Sequence, residues 1–404
     1  RRIDEFQRRQ VSSKLIAPAW GRRDRSGVTT LRVSVVDILG RILLSDVMMA
    51  VMEQRPAGTW PSPVTADSLV GGSVGIGEVV ADGDDVWWAE LRPEEQGRTA
   101  LVRWRDGDRL DVTPPGSNAR TSVHEYGGGA WWVHDGVAFY VEFDDQRLRK
   151  IEVSGEPVLL SPEPDEARAL RFADGRVTPD GRWFVCVHEQ HAADRPDAAN
   201  SLIAVATDGS MDMLPLASGA DFYASPRISP DGRQVAWIQW MHPNMPWDST
   251  ELWVAELGDG RVSNARQLAG GADEALQQPE WHADGTLTVV TDRTNWWNLY
   301  DVDLATGDLT HRAGANYDIV EPHWVFGGSR YTEGDHVVGD PNGDRLASDV
   351  DLPYTSIRSL REQGDALLFV GASFGRESEV VRLRGGDVEV LRPARDLGLD
   401  AAFL

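Results

Sequence analysis

The segments PDGRWFVCV (Pro179–Val187) and PDGRQVAWIQW (Pro230–Trp240) decide the fold, because each places a tight turn directly before an apolar strand. Pro presets the first turn angle, Asp bonds the turn backbone and Gly takes the positive φ, so each triplet closes a β-hairpin. A third copy, Ala283-Asp284-Gly285, leads into Leu287–Val290. Copies recur every 40 to 50 residues or so, roughly the period of propellers and solenoids. After each such strand come a second turn and another strand, as in Leu252–Leu257 and in Leu299–Leu304 before Ala305-Thr306-Gly307-Asp308. Alternation at period two there predicts one face inside.

Units begin near Gly75, Ser122, Leu170, Ala224, Gln278, Pro322 and Ser356. Sheets arranged radially in that number close on themselves and leave only short edges exposed. The expected fold is therefore all-β, a seven-bladed β-propeller with its sixth blade shortened. Residues 324–352 contain Gly327, Gly328, Gly334, Gly339, Pro341 and Gly343, and no full set of strands fits there. A partial blade and a local loss of sequence both explain that stretch. No helical periodicity stands out after residue 70.

Composition narrows the function. The chain has 404 residues, 41% apolar content, 16 Trp and 40 Gly, enough to bury a large core. A formal net charge of -24 would repel phosphates, which argues against nucleic-acid partners. The single cysteine, Cys186, excludes an internal disulfide and a cysteine-based zinc site, and the cytoplasm is the expected location. Leu31–Met52 is apolar but is interrupted by Asp37, Arg41 and Asp46, which speaks against a membrane span; an amphipathic helix remains open. Residues 1–55 are read as an N-terminal extension that is not native to the domain, with no structure assigned to it. Met48, Met49 and Met52 would each make a plausible start. Residues 56–395 are read as the propeller and 396–404 as the start of a linker.

Several strings resemble a known family: HEYGGGAWWV (His124–Val133), DDQRL (Asp144–Leu148), HPNMPWDSTELWVAEL (His242–Leu257), TDRTNWWNLYDVDLATG (Thr291–Gly307), EPHWVFG (Glu321–Gly327) and DLPYTSI (Asp351–Ile357). They look like the N-terminal propeller of bacterial prolyl oligopeptidase family serine peptidases, of the acylaminoacyl peptidase or dipeptidyl aminopeptidase type. TWPSPVTAD (Thr59–Asp67) resembles the family's opening, and DLGLDAAFL (Asp396–Leu404) the segment entering its α/β-hydrolase domain. The resemblance implies a parent enzyme that hydrolyses short peptides through a Ser, Asp and His triad in that second domain, with the propeller restricting access through a channel or a cleft. The shortened sixth blade departs from the family pattern and puts closure of the ring in question.

No residue set in this chain forms a complete active site, and no metal or cofactor is expected. Gly71-Gly72-Ser73-Val74-Gly75 matches the nucleophile-elbow spacing, but Ile76–Val80 after it reads as a strand where that motif needs a helix. His188 and His191 lie three apart, which on a strand turns them to opposite faces. Among the carboxylate pairs, Asp301 and Asp303 share a strand face, and Asp303 precedes a turn. Three residues are binding candidates. Glu125, before Gly127-Gly128-Gly129, is placed to face the central cavity, and the glycines allow a close backbone approach or a structural turn. Glu189 ends a strand, where a carboxylate could hold a peptide's free ammonium group or form a surface salt bridge. Trp247 closes the loop Trp240–Trp247, which suits a neighbouring domain, a peptide or a plug between blades.

The resulting expectation is a noncatalytic, substrate-gating propeller of a serine peptidase, with short peptides and the hydrolase domain of the same parent protein as partners, and neither nucleic acid nor membrane. Two rival readings remain: a stand-alone propeller that binds a protein partner, and a propeller enzyme with a central carboxylate or metal site.

Overall fold

The computed structural model describes residues 64–396 except Pro196, together with Pro56, Gly58, Thr59, Ser62 and Gly398. The extension 1–55, with its apolar run Leu31–Met52, and most of the segment 396–404 lie outside the described residues. The propeller falls within the unit Thr65–Leu404.

Six sheets have four antiparallel strands each in the order 1-2-3-4. They span 75–111, 131–159, 170–218, 222–270, 276–313 and 356–392, and are blades 1 to 5 and 7 in ring order. In the sixth place only Val337–Val338 pairs with Arg345–Leu346. The ring thus has six complete blades where seven were expected, with a two-stranded remnant at the position read as short. The helical content among the described residues is slight: Ala66–Val70, capped by the Thr65 hydroxyl on the Ser68 amide, and the turn Pro93–Glu95.

The expected turns lie where the triplets are. Leu170–Val177 turns into Trp183–Gln190, Phe222–Ile228 into Gln234–Trp240, and Leu276–Trp281 into Leu287–Thr291. Asp180 and Asp231 accept the amides of Arg182 and Arg233, while Gly181 and Gly232 take φ of 73° and 72°. The second strands differ from the alternating strands expected at 252–257 and 299–304. Val86, Trp87, Trp88 and Ala89 are all buried, as are Phe184 to Val187. Blades stack face to face, so their middle strands lose both faces to neighbours, and near-continuous apolar runs replace alternation.

The core is accordingly a ring of seams between blades. Val80, Trp87 and Leu101 of blade 1 meet Trp131, Ala138 and Tyr140 of blade 2. Phe139, Val141 and Leu148 of blade 2 meet Phe172, Phe184 and Cys186 of blade 3. Val337 and Leu346 of the remnant pack on Ile357, Phe369 and Val381 of blade 7. Val79, Trp88 and Val102 of blade 1 share a cluster with Leu368, Val370 and Val380 of blade 7, so the first and last blades join. Hydrogen bonds fasten this join, among them the Val79 amide to Ser359 Oγ at 2.9 Å and Gln363 Nε2 to the Gly83 carbonyl at 2.9 Å. The ring closes despite the shortened blade.

First strands line the axis, since it is they that contact one another from blade to blade. Several carry a β-bulge with a residue at positive φ: Asp174 (51°), Ser225 (53°), Gln278 (49°) and Ser359 (55°). A bulge re-aims the next side chains, and here charges meet. Arg227 bonds Glu280 at 3.0 Å and Asp174 at 3.3 Å, and Asp174 also accepts the Ser225 amide at 2.7 Å. Burial opposes the charge on Asp174 and Glu280, yet the Arg227 and Arg176 guanidiniums hold both carboxyls below their ordinary range.

Removing one partner of a buried ion pair strands the other in a medium that solvates it poorly, at about 3–5 kcal/mol. Arg227→Ala should therefore lower stability in urea unfolding at pH 7 by about that amount. A loss below about 1 kcal/mol, the range of an exposed pair, would contradict this placement.

Candidate functional site

The antiparallel order fixes two faces for the ring. Asp-Gly turns such as 135–136, 180–181, 231–232 and 284–285 join first strands to second on one face. On the other lie the connections from second to third strands and from each blade to the next. That second face holds the exposed apolar side chains Tyr126, Met241, Met245, Trp324, Val325 and Phe374.

Glu125, Glu189 and Trp247 all lie on connections or strand ends of this second face. Glu189 sits near the end of Trp183–Gln190, opposite Arg171 in the ladder. Its carboxylate is 4% exposed as a residue and accepts from three groups: the His124 amide at 3.1 Å, Arg171 Nη1 at 3.3 Å and His191 Nε2 at 3.0 Å. It is a buried, bonded carboxylate and not a surface salt bridge. Glu125, at φ 65°, bonds the same Arg171 nitrogen at 2.9 Å and leaves most of its carboxylate in solvent. One guanidinium thus serves two carboxylates, of which Glu125 is the one that faces outward, and a second guanidinium, Arg168, donates to the Ser122 hydroxyl of the same loop at 3.1 Å. Arg171 also donates to the Ser122 carbonyl at 2.9 Å, which fixes the loop that carries Glu125.

Aromatic rings stand on the same face. Trp247 packs on Trp324 at 4.5 Å between centroids, and Trp324 meets Tyr126 edge-on at 5.7 Å. Beneath them the His124 ring is held by Phe222 at 5.1 Å, Trp240 at 5.7 Å and Phe326 at 4.8 Å. A cleft of about 270 Å³ opens between blades 1 and 2, lined among others by Gly75, Glu78, Leu91, Arg120, Tyr126 and Trp131.

The features read as chemically empty have other roles. A helix, Ala66–Val70, precedes Gly71–Gly75 and the strand Gly75–Asp82 follows, the reverse of a nucleophile elbow. His188 bonds Ser201 while His191 bonds Glu189, so the two imidazoles have separate partners. Asp301 is tied to Arg312 and Thr288, and Asp303 caps the amides of Ala305 and Thr306. Arg171, Tyr126 and Trp324 were not singled out from the sequence. Arg171 becomes visible only once the ladder register places it opposite Glu189, whereas Trp324 lay within EPHWVFG and was readable as part of that string.

Comparison with solved structures gives close matches. A puromycin-hydrolysing peptidase from Mycobacterium tuberculosis is 34% identical with a TM-score of 0.77, over 84% of this chain and 56% of that one. A puromycin hydrolase is 34% identical with a TM-score of 0.80, over 86% of this chain and 58% of that one. A prolyl endopeptidase at 14% identity and a TM-score of 0.59 shares the fold, over 81% of this chain and 51% of that one. The chain spans a little over half the length of these proteins, and the part matched is the propeller. No family model and no curated sequence matches it.

His124 and His188 define a pH dependence. Burial pushes both His124 and His188 down to about 4, so both are neutral at pH 7. An unfolded histidine takes its proton near pH 6.5, so their contribution is complete above that value and is lost as pH falls from 6.5 towards 4. At pH 5 each should cost about 2 kcal/mol relative to pH 7.5. His188→Asn should show a correspondingly smaller drop in urea midpoint between those pH values; an unchanged drop would mean that His188 already carries its proton in the fold.

Proposed function

We propose, on the premise that this chain carries the propeller of a prolyl oligopeptidase family peptidase, that it gates substrate access to a hydrolase domain and helps to bind the substrate's free N-terminus. The observation that carries this reading is the sharing of Arg171 by Glu125 and Glu189 beside an aromatic wall. The outward Glu125 carboxylate attracts an ammonium group and offers it a solvent-accessible oxygen, while Arg171 with Glu189 holds Glu125 in place. Trp247, Trp324 and Tyr126 then present apolar surface to the first side chain. The same face, with its exposed Met241, Met245 and Phe374, suits docking of the hydrolase domain.

The parent enzyme in this reading hydrolyses short peptides or aminoacyl amides by a Ser, Asp and His triad in the other domain, and the propeller excludes bulkier chains by size. Its likeness to puromycin-hydrolysing proteins, whose named substrate is an aminoacyl amide, supports that substrate class. Acidic composition and a structure with no helix, among the described residues, long and apolar enough to cross a membrane suit the proposed cytoplasmic location.

The test is calorimetric titration of the 404-residue chain with L-tyrosinamide and with N-acetyl-L-tyrosinamide. The free amine should bind and the acetylated one should not. Glu125→Gln should weaken binding about tenfold, near 1.4 kcal/mol. Equal binding of both ligands, or none by either, would refute the ammonium-binding role.

A further inference from the structure

The segment Glu321–Gly328 leaves the ring position of the sixth blade and crosses the axis. Gln277 of blade 5 donates to the Glu321 carbonyl at 3.1 Å. Trp324 then reaches Trp247 beside blade 4, and the Phe326 amide donates to the Gly127 carbonyl at 3.0 Å, ahead of blade 2. Phe326 pairs with Gly128 as a parallel bridge. After Gly328 the chain returns to its place: Ser329 exchanges bonds with Leu360 of blade 7, and the Arg330 amide donates to Gln278 of blade 5 at 2.9 Å. Blades 2 and 6 are not neighbours in the ring, so a backbone contact between their leading segments must span the channel.

The neighbouring residues are built for this contact. A Cβ on Gly128 would stand 2.7 Å from the Phe326 nitrogen and closer still to its carbonyl oxygen. On Gly129 it would meet the Asp174 backbone and the Phe326 Cβ at 3.0 Å, and on Gly327 it would meet Glu78 Oε1 at 2.7 Å. The Gly129 amide donates to Glu78 of blade 1 at 3.0 Å, and the Asp174 amide of blade 3 donates to the Gly129 carbonyl at 2.7 Å. Burial pushes the His323 imidazole of the segment down against the pull of the Asp174 charge, and its ring meets Phe326 edge-on at 6.0 Å.

We infer that Glu321–Gly328 is a fixed stopper that closes the central channel of the propeller, so that the mouth at Glu125 and Glu189 is a blind compartment. The closure stands on the contacts above. Its consequence, that a ligand held by Glu125 enters and leaves by that one face and never along the axis, rests on the binding reading. The shortened sixth blade is what frees the segment: residues that would otherwise build a full sheet run inward to the axis.

Residue-resolved amide exchange on the 404-residue chain tests it. In the wild type the Phe326 amide should exchange at least about 1000-fold more slowly than an open peptide, as a cooperative part of the core does. Gly128→Ala should speed that amide by about 100-fold or more and open Trp324–Phe326 to chymotrypsin, whereas Gly116→Ala should leave both unchanged. Gly116 also has positive φ but has open space around its Cβ position, so it controls for backbone strain alone. An unprotected Phe326 amide in the wild type overturns the inference, and decides it even if Gly128→Ala does not fold. A protected amide in a chain that binds no tyrosinamide would support the stopper and count only against the binding reading.

Discussion

Arg227 joins blades 3, 4 and 5 at the axis, with its guanidinium between Asp174 and Glu280. A propeller brings the first strand of every blade to a common line, where side chains must either face a water-filled channel or satisfy one another. This chain does the second. The bulges at Asp174, Ser225, Gln278 and Ser359 turn charged residues toward the axis, and Arg227 balances two carboxylates there. Burial makes that arrangement costly to break, because each ion relies on its partners for the solvation that water no longer gives.

The inward segment depends on the same neutralised axis. His323 lies within reach of the Asp174 and Arg227 charges, and Phe326 completes the cage around the His124 ring. His124 in turn gives its backbone amide to Glu189. Arg227, the segment 321–328 and the Glu125 and Glu189 mouth therefore form one connected structure, in which polar contacts at the axis fix the geometry of the face above.

The turns were legible because Pro-Asp-Gly carries its own backbone mechanism, whereas three glycines at 127–129 left open a structural turn or the close backbone approach that Phe326 makes. The blade count was not legible to the same degree. A glycine-rich stretch at 324–352 showed that something was short, but the two-stranded remnant at Val337–Leu346 and the inward run of 321–328 depend on contacts with blades distant in sequence. Glu125 and Glu189 could be chosen as acidic residues near a cavity. That a single arginine binds both depends on the register of Arg171 opposite Glu189, which no local pattern encodes. Residues before 56 and most of those after 396 carry readings that the described residues do not reach. At the edge of the propeller Arg395 donates to the Leu69 carbonyl at 2.9 Å, so the strand that ends blade 7 is tied to the helix that precedes blade 1.

The most direct measurement for the gating account is a chimera in which residues 65–395 replace the propeller of a puromycin hydrolase relative. The account predicts that this enzyme cleaves aminoacyl amides and short peptides yet leaves unfolded protein chains intact, while the hydrolase domain without a propeller attacks both. Equal cleavage of long and short substrates by the chimera would contradict it.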